Sequence, residues 1–94
     1  MFGYKAVKTA KALKEMIKTA NKLLMESYKT GEKEMGYEYA NTADVLGCLA
    51  INMSENLSDV DMNEEDYNTS VAIIKSARVR KNEIKNTGFK PRVW

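Results

Sequence analysis

The chain has 94 residues and a formal net charge of +2, with 44% hydrophobic and 30% charged residues. This size and composition indicate one soluble globular domain. It contains no histidine and a single cysteine, Cys48, so the usual general base, a histidine-ligated metal site and an internal disulfide are all excluded. No apolar run approaches the roughly 20 residues of a membrane span. The first residues lack the apolar core of a signal peptide, so we expect a cytoplasmic protein without membrane association.

The first predicted helix covers about residues 4–30 and has two distinct faces. Its apolar residues recur at helical spacing on one side, and its lysines lie on the opposite side. About 26 residues at a rise of 1.5 Å give roughly 39 Å, which is long for a domain of this mass. Gly31 follows and is predicted to end the helix in the left-handed conformation. The lysines of the opposite face include Lys8, Lys11, Lys14, Lys18 and Lys22.

The second predicted helix covers about residues 36–57. Tyr39, Ala43, Leu46, Ala50 and Met53 follow one another at steps of four and three, which is the spacing of a helical apolar stripe. Small residues on this helix allow another helix to approach closely. The neighbour is either the first helix of the same chain or a helix of a second subunit. The small residues in question are Ala43, Gly47 and Ala50.

The third predicted helix covers about residues 63–87. Asn63 suits the N-cap, and the acidic residues that follow it lie in the first turn, where the helix dipole favours negative charge. The apolar stripe runs from Tyr67 through Ile74 to Ile84. The second half of the helix is basic and contains Arg78, Arg80, Lys81 and Lys85.

Charge is segregated along the chain. Residues 1–33 carry a net +5, residues 34–66 carry −9, and residues 67–94 carry +6. This pattern favours folding of the two basic ends against the acidic middle. Each exposed pair contributes only about 0–1 kcal/mol, so the pattern influences topology more than stability.

Three helices with short connections predict an all-α fold. We expect an elongated antiparallel three-helix bundle, or a helical hairpin plus a third helix. The apolar stripes exceed what one thin bundle can bury, so we expect assembly into a homo-oligomer. The domain is predicted to cover residues 1–88, followed by a tail of residues 89–94. In that tail, Phe89, Arg92 and Trp94 are predicted either to close one end of the core or to anchor a subunit or partner.

Two partial motif matches lack features that their motifs require. Asp59, Asp61 and Asn63 match three ligand positions of a calcium-binding EF-hand loop. Glu64 replaces its glycine, and Ser70 replaces its bidentate glutamate. A helix-turn-helix around Gly47 would place an acidic helix against DNA phosphates. We therefore predict no metal and no cofactor.

These patterns predict a small non-catalytic helical protein that regulates or sequesters a macromolecular partner and also binds itself. Ala43, Gly47 and Ala50 would form the interface together with the aromatic tail. The alternative is binding of an anionic ligand, either nucleic acid or a small nucleotide. Its site would combine the lysine face of the first helix with the basic end of the third. Twelve lysines against three arginines, with eight asparagines, are typical of proteins from AT-rich genomes such as those of phages or mobile elements.

Overall fold

A computed structural model describes residues 4–56 and 62–86, with side chains from residue 11 onward. The described residues form three α-helices and no strand, which confirms the predicted all-α fold. These are α1 (Tyr4–Lys29), α2 (Lys33–Asn56) and α3 (Glu64–Asn86). The second helix begins before the predicted residue 36, because Gly36 lies inside its first turn and does not interrupt it.

Contacts between the helices define an up-down-up order. Ser27, near the end of α1, contacts Gly36, near the start of α2, so these two helices are antiparallel. Asp44 of α2 contacts Lys81 of α3, and Gly47 lies against Ile74, so α2 and α3 are antiparallel as well. All three helices pack against one another.

The connections are built from local hydrogen bonds. The backbone N–H of Thr30 donates to the carbonyl of Glu26, and the Thr30 hydroxyl accepts from the N–H of Glu32 at 3.2 Å. Gly31 lies between them outside the left-handed region, so its predicted role as a left-handed helix cap is wrong. At the start of α3, the side-chain oxygen of Asn63 accepts from the N–H of Asp66 at 2.7 Å. This N-cap is the one that the sequence predicts.

The core is formed by the inner stripes of all three helices. The stripe of α1 is buried as predicted, and α3 contributes Ile73 and Ala77. Tyr67 was predicted to belong to the stripe of α3, but it is exposed at the edge of that helix. The buried residues of the main cluster are Leu13, Ile17, Ala20, Leu24, Tyr28, Ala43, Ala50, Ile73 and Ala77.

Small residues on α2 determine how closely it approaches its neighbours. Ala40, Ala43 and Ala50 are fully buried, and Gly47 is buried beside them. A Cβ atom placed on Gly47 would lie 2.7 Å from Cγ1 of Ile74 and 3.5 Å from the backbone oxygen of Ser70. Gly47 therefore contacts α3 of the same chain, whereas the sequence pointed to the first helix or to another subunit.

Replacing Gly47 with alanine should destabilise the fold. Alanine has the better helix propensity by about 1 kcal/mol, but overpacking in a core costs about 1–3 kcal/mol. We therefore expect Gly47→Ala to lower the free energy of unfolding by roughly 1 kcal/mol in urea denaturation.

Gly31→Ala is the matched control, because an added Cβ there meets nothing within 4 Å and the backbone conformation is ordinary. We expect it to leave stability unchanged or raise it slightly. A Gly47→Ala protein more stable than the wild type would contradict the close contact between α2 and α3.

Candidate binding surfaces

The basic end of α3 is divided between the interior and the surface. Arg80 is only 2% exposed, so it belongs to the interior and not to the anion-binding surface predicted for it. Arg78 and Lys81 lie on the side of α3 that faces α2. Lys85 is exposed one turn further on.

Arg80 supports the C-terminal end of α1. Its Nη2 donates to the backbone carbonyl of Ser27 at 2.9 Å, and its Nε donates to the Ser27 hydroxyl at 3.4 Å. The guanidinium also lies 4.8 Å from the ring centroid of Tyr28 and pairs with Glu83 at 3.3 Å. The last carbonyls of a helix lack intrahelical donors and carry partial negative charge, so a cation is favourable there.

The Ser27 hydroxyl connects this contact between α1 and α3 to α2. It accepts from Arg80 of α3 and donates to the carbonyl of Gly36 in α2 at 2.6 Å. The network therefore joins all three helices near one end of the bundle. Within the described chain, no buried side-chain nitrogen or oxygen lacks a hydrogen-bond partner.

Asp44 forms ion pairs with both Arg78 and Lys81. Its Oδ2 lies 2.8 Å from Nζ of Lys81 and 3.3 Å from Nε of Arg78. Lys81 also donates to the side-chain oxygen of Asn41 at 3.2 Å. Burial alone would raise the pKa of Asp44, but the hydrogen bonds from Lys81 and Arg78 outweigh it and hold the pKa below its ordinary value.

Cys48 lies beside this cluster. Its sulfur is 3.5 Å from Oδ1 of Asp44 and 3.8 Å from Nη2 of Arg78. Burial, together with the neighbouring carboxylate, raises the pKa of the thiol. The thiol is thus protonated at neutral pH, which makes it a weak nucleophile.

The predicted lysine face of α1 lies on the outside of the bundle. Lys11, Lys14, Lys18 and Lys22 are exposed, and the side chain of Lys8 lies outside the described part. A groove of about 460 Å³ separates this face from the start of α3, and it also contains Glu15 and Asp66. Nζ of Lys14 is 3.7 Å from Oδ2 of Asp66. Part of the lysine face therefore complements acidic residues of the same chain.

The small-residue interface predicted from the sequence lies inside the chain. Ala43 and Ala50 are 0% exposed, and Gly47 is covered by Ile74. These residues are unavailable to a second subunit, so their assignment to a subunit interface is wrong. Phe89, Arg92 and Trp94, the other residues of that predicted interface, lie outside the described residues.

A different apolar surface is open to solvent on the side of α1 and α2 that faces away from α3. On α2, Asn41, Asp44 and Gly47 face α3, and at 100° per residue Leu46 and Leu49 fall on the opposite flank. On α1, Lys14 and Tyr28 face α3, and the row that begins at Ala12 falls opposite. We define the α1/α2 face as Ala12, Met16, Thr19, Leu23, Thr42, Val45, Leu46, Leu49 and Met53.

The α1/α2 face consists of uncharged side chains at heptad spacing. Val45 is 49% exposed and Leu49 is 46% exposed, one turn apart on α2. Met16, Leu23, Leu46 and Met53 are partly buried and pack against the core below them. The sequence does indicate the α1 row of this face, through residues 12, 16, 19 and 23, which are spaced by four, three and four. Sequence reasoning missed it because the core stripe of α1 has the same period.

Two features of the described residues bear on other classes of function. Residues 4–56 and 62–86 contain no group of three histidine, cysteine, aspartate or glutamate side chains that could hold a metal ion. No helix in the same ranges has the length and hydrophobicity needed to cross a membrane. Comparison of the chain with protein-family models, curated proteins and solved structures gave no match.

Arg80→Met should destabilise the protein strongly. The substitution keeps most of the side-chain volume but leaves the Ser27 carbonyl without its charged donor. An unpaired buried polar group costs about 1–3 kcal/mol, and loss of a buried charged partner costs up to about 3–5 kcal/mol. We expect the free energy of unfolding to fall by about 2–4 kcal/mol in urea titrations.

Arg78→Met serves as the control, because the Arg78 side chain is 62% exposed. We expect it to cost less than about 1 kcal/mol, as for an exposed ion pair. Equal losses for the two variants would show that Arg80 has no special role in the packing of the helices.

The Asp44 cluster should make stability depend on pH at the acidic end. Because the folded-state pKa of Asp44 is lowered, its stabilising contribution is complete above its unfolded pKa of 3.8. That contribution is lost as the pH falls through the folded-state pKa. We expect Asp44→Asn to be clearly less stable than the wild type at pH 6, with a smaller difference at pH 2.5, in urea denaturation at both pH values. A difference that grows as the pH falls would contradict the assignment.

Proposed function

We propose that this chain is a small non-catalytic helical binding protein that pairs with a second copy through the α1/α2 face. The observation that supports the proposal most directly is the exposure of Leu49 within the α1/α2 face, with Val45 exposed at the margin of the same face. Contiguous exposed apolar surface on a soluble domain is typical of an interaction site.

The α1/α2 face has the size of an interaction patch. Its two rows cover residues 12–23 and 42–53, about 18 Å of helix, and the molecule is 19 Å wide in its second dimension. The face therefore covers roughly 340 Å², within the size range of the largest apolar patch on a typical monomer, which often marks an interaction site. A second copy presents an identical patch, so the two surfaces match in extent.

The spacing of the residues supports a helical partner. The row of α1 and the row of α2 both advance by steps of four and three, the pattern by which helices pack in bundles and coiled coils. If two copies meet at this face about a two-fold axis, the same residues from each subunit form both sides of the interface. The two helix pairs then form a four-helix layer that covers Val45 and Leu49.

The same proposal includes a macromolecular partner that the dimer regulates or sequesters. Dimerisation through the α1/α2 face leaves the exposed lysines of α1 and the outer side of α3 open to solvent. These include Lys11, Lys18 and Lys22. Positive charge on this outer surface favours a partner with an acidic surface, and its binding would weaken with salt.

The test introduces charge into the exposed apolar part of the face. We expect the wild type to form a dimer at micromolar concentration, as measured by analytical ultracentrifugation. The double variant Val45→Glu with Leu49→Glu should remain a monomer at concentrations at least a hundredfold higher, because two carboxylates on each subunit would have to be buried unpaired. Its helix content, measured by circular dichroism, should stay unchanged, because both positions are exposed and glutamate is a good helix former.

Val79→Glu is the matched control. Val79 is 56% exposed on α3, outside the α1/α2 face, and the change is chemically the same. This variant should dimerise like the wild type. A wild type that remains monomeric up to millimolar concentration, or a double variant that still dimerises, would overturn the proposal. Equal disruption by Val79→Glu would place the interface elsewhere.

A further inference from the structure

The groove between α2 and α3 beside Asp44 has the chemistry of an anion site. It is an open groove of about 370 Å³, a volume that can take a small organic ligand at the surface. Three of its lining residues are cations that lie on one side of α3 at helical spacing. The lining residues are Tyr37, Asp44, Arg78, Lys81, Asn82 and Lys85.

The groove carries more positive charge than its one carboxylate neutralises. Asp44 is the single acid among the lining residues, against three cations. Its carboxylate accepts hydrogen bonds from Nζ of Lys81 and Nε of Arg78. The Lys81 side chain is largely buried in this contact. The Arg78 side chain remains 62% exposed, and Lys85 is exposed two turns further along the same side of α3. A guanidinium has five N–H donors, and Arg78 uses its Nε toward Asp44 and its Nη2 toward the Cys48 sulfur. Its Nη1 and the second N–H of Nη2 can still donate to a ligand.

We propose that this groove binds the phosphate group of a phosphorylated ligand. Arg78 supplies a planar set of donors suited to phosphate oxygens, and Lys85 supplies a second charge. Asp44 acts as a positioning residue, because its carboxylate holds Arg78 and Lys81 on the wall of the groove. Tyr37 lines the same groove and offers an aromatic ring to whatever organic group the phosphate carries. The proposal stands independently of dimerisation, since none of these residues belongs to the α1/α2 face.

The lysine face of α1 is the weaker anion site. Its groove contains two carboxylates, Glu15 and Asp66, and one of its lysines is already paired. Its cations are all lysines, which bind phosphate as point charges on long flexible side chains. The α2/α3 groove instead combines an arginine with a carboxylate that holds it in place.

The test uses pyrophosphate as the probe, titrated at low ionic strength and followed by the amide signals of ¹⁵N-labelled protein. We expect saturable shifts that are largest at the residues lining the α2/α3 groove. The double variant Arg78→Gln with Lys85→Gln should weaken binding at least about tenfold, through loss of two charge-assisted contacts. Circular dichroism and urea denaturation would check that the variant is folded, and Lys85→Gln alone should show a smaller loss in the same direction.

Lys11→Gln with Lys18→Gln is the matched control, because it removes the same charge from an exposed face. Its affinity for pyrophosphate should stay within about twofold of the wild type, as expected for screened surface charges. Equal losses for both double variants, shifts centred on α1, or no saturation at 10 mM pyrophosphate would each overturn the site.

Two further titrations identify the source of the phosphate. Binding of ATP more tightly than pyrophosphate, with shifts at Tyr37, would indicate a free nucleotide as the ligand. Tighter binding of a single-stranded oligonucleotide, with a strong dependence on salt, would indicate nucleic acid. The monomeric variant Val45→Glu with Leu49→Glu should bind pyrophosphate like the wild type, so failure of the dimer and failure of this site are distinguishable.

Discussion

The close approach of α2 to its two neighbours is the constraint on which the rest of the molecule depends. Ala40, Ala43, Gly47 and Ala50 present almost no side chain to the interior, so α2 can lie directly against α1 and α3. Contact at this distance leaves no room on the inner side for the large apolar residues of α2. Leu46 and Met53 lie at the flank, where they still pack against the core, and Val45 and Leu49 lie outside. The α1/α2 face thus contains larger apolar residues of α2 that the small inner row of that helix does not include.

The same close contact explains why a polar network can exist inside so small a domain. Burying an isolated guanidinium has a large desolvation free energy, which is offset only where several acceptors surround the group. Arg80 has such acceptors at the end of α1, where the Ser27 carbonyl has no helical donor and the ring of Tyr28 lies alongside. The Ser27 hydroxyl then reaches Gly36 across the tight connection between α1 and α2. Apolar packing brings the helices together, and this network links their ends through the hydrogen bonds of Arg80 and Ser27.

Sequence reasoning predicted those parts of the fold that depend on one helix at a time. The inner stripe of α1 and the Asn63 cap of α3 follow from local spacing and local hydrogen bonds, and both are present. The core row of α2 was harder to assign, because the larger residues Tyr39, Leu46 and Met53 share its heptad spacing and suggest a core by their size. Arg80 could not be distinguished from Arg78 at all. The two residues differ in the helix that each faces, and that depends on the tertiary arrangement.

The division of the basic residues of α3 follows from the helical period and has consequences for binding. Arg78 and Lys81 are three residues apart and face α2 together, whereas Arg80 falls between them in sequence and points toward α1. Asp44 lies within reach of both Arg78 and Lys81. Its single carboxylate holds Arg78 in place but does not use all of the N–H donors of the guanidinium. A cation held by a carboxylate loses less conformational entropy on binding than a free lysine does. This is why we propose the few oriented cations of the α2/α3 groove as the anion site, in preference to the longer and more strongly charged row of lysines on α1.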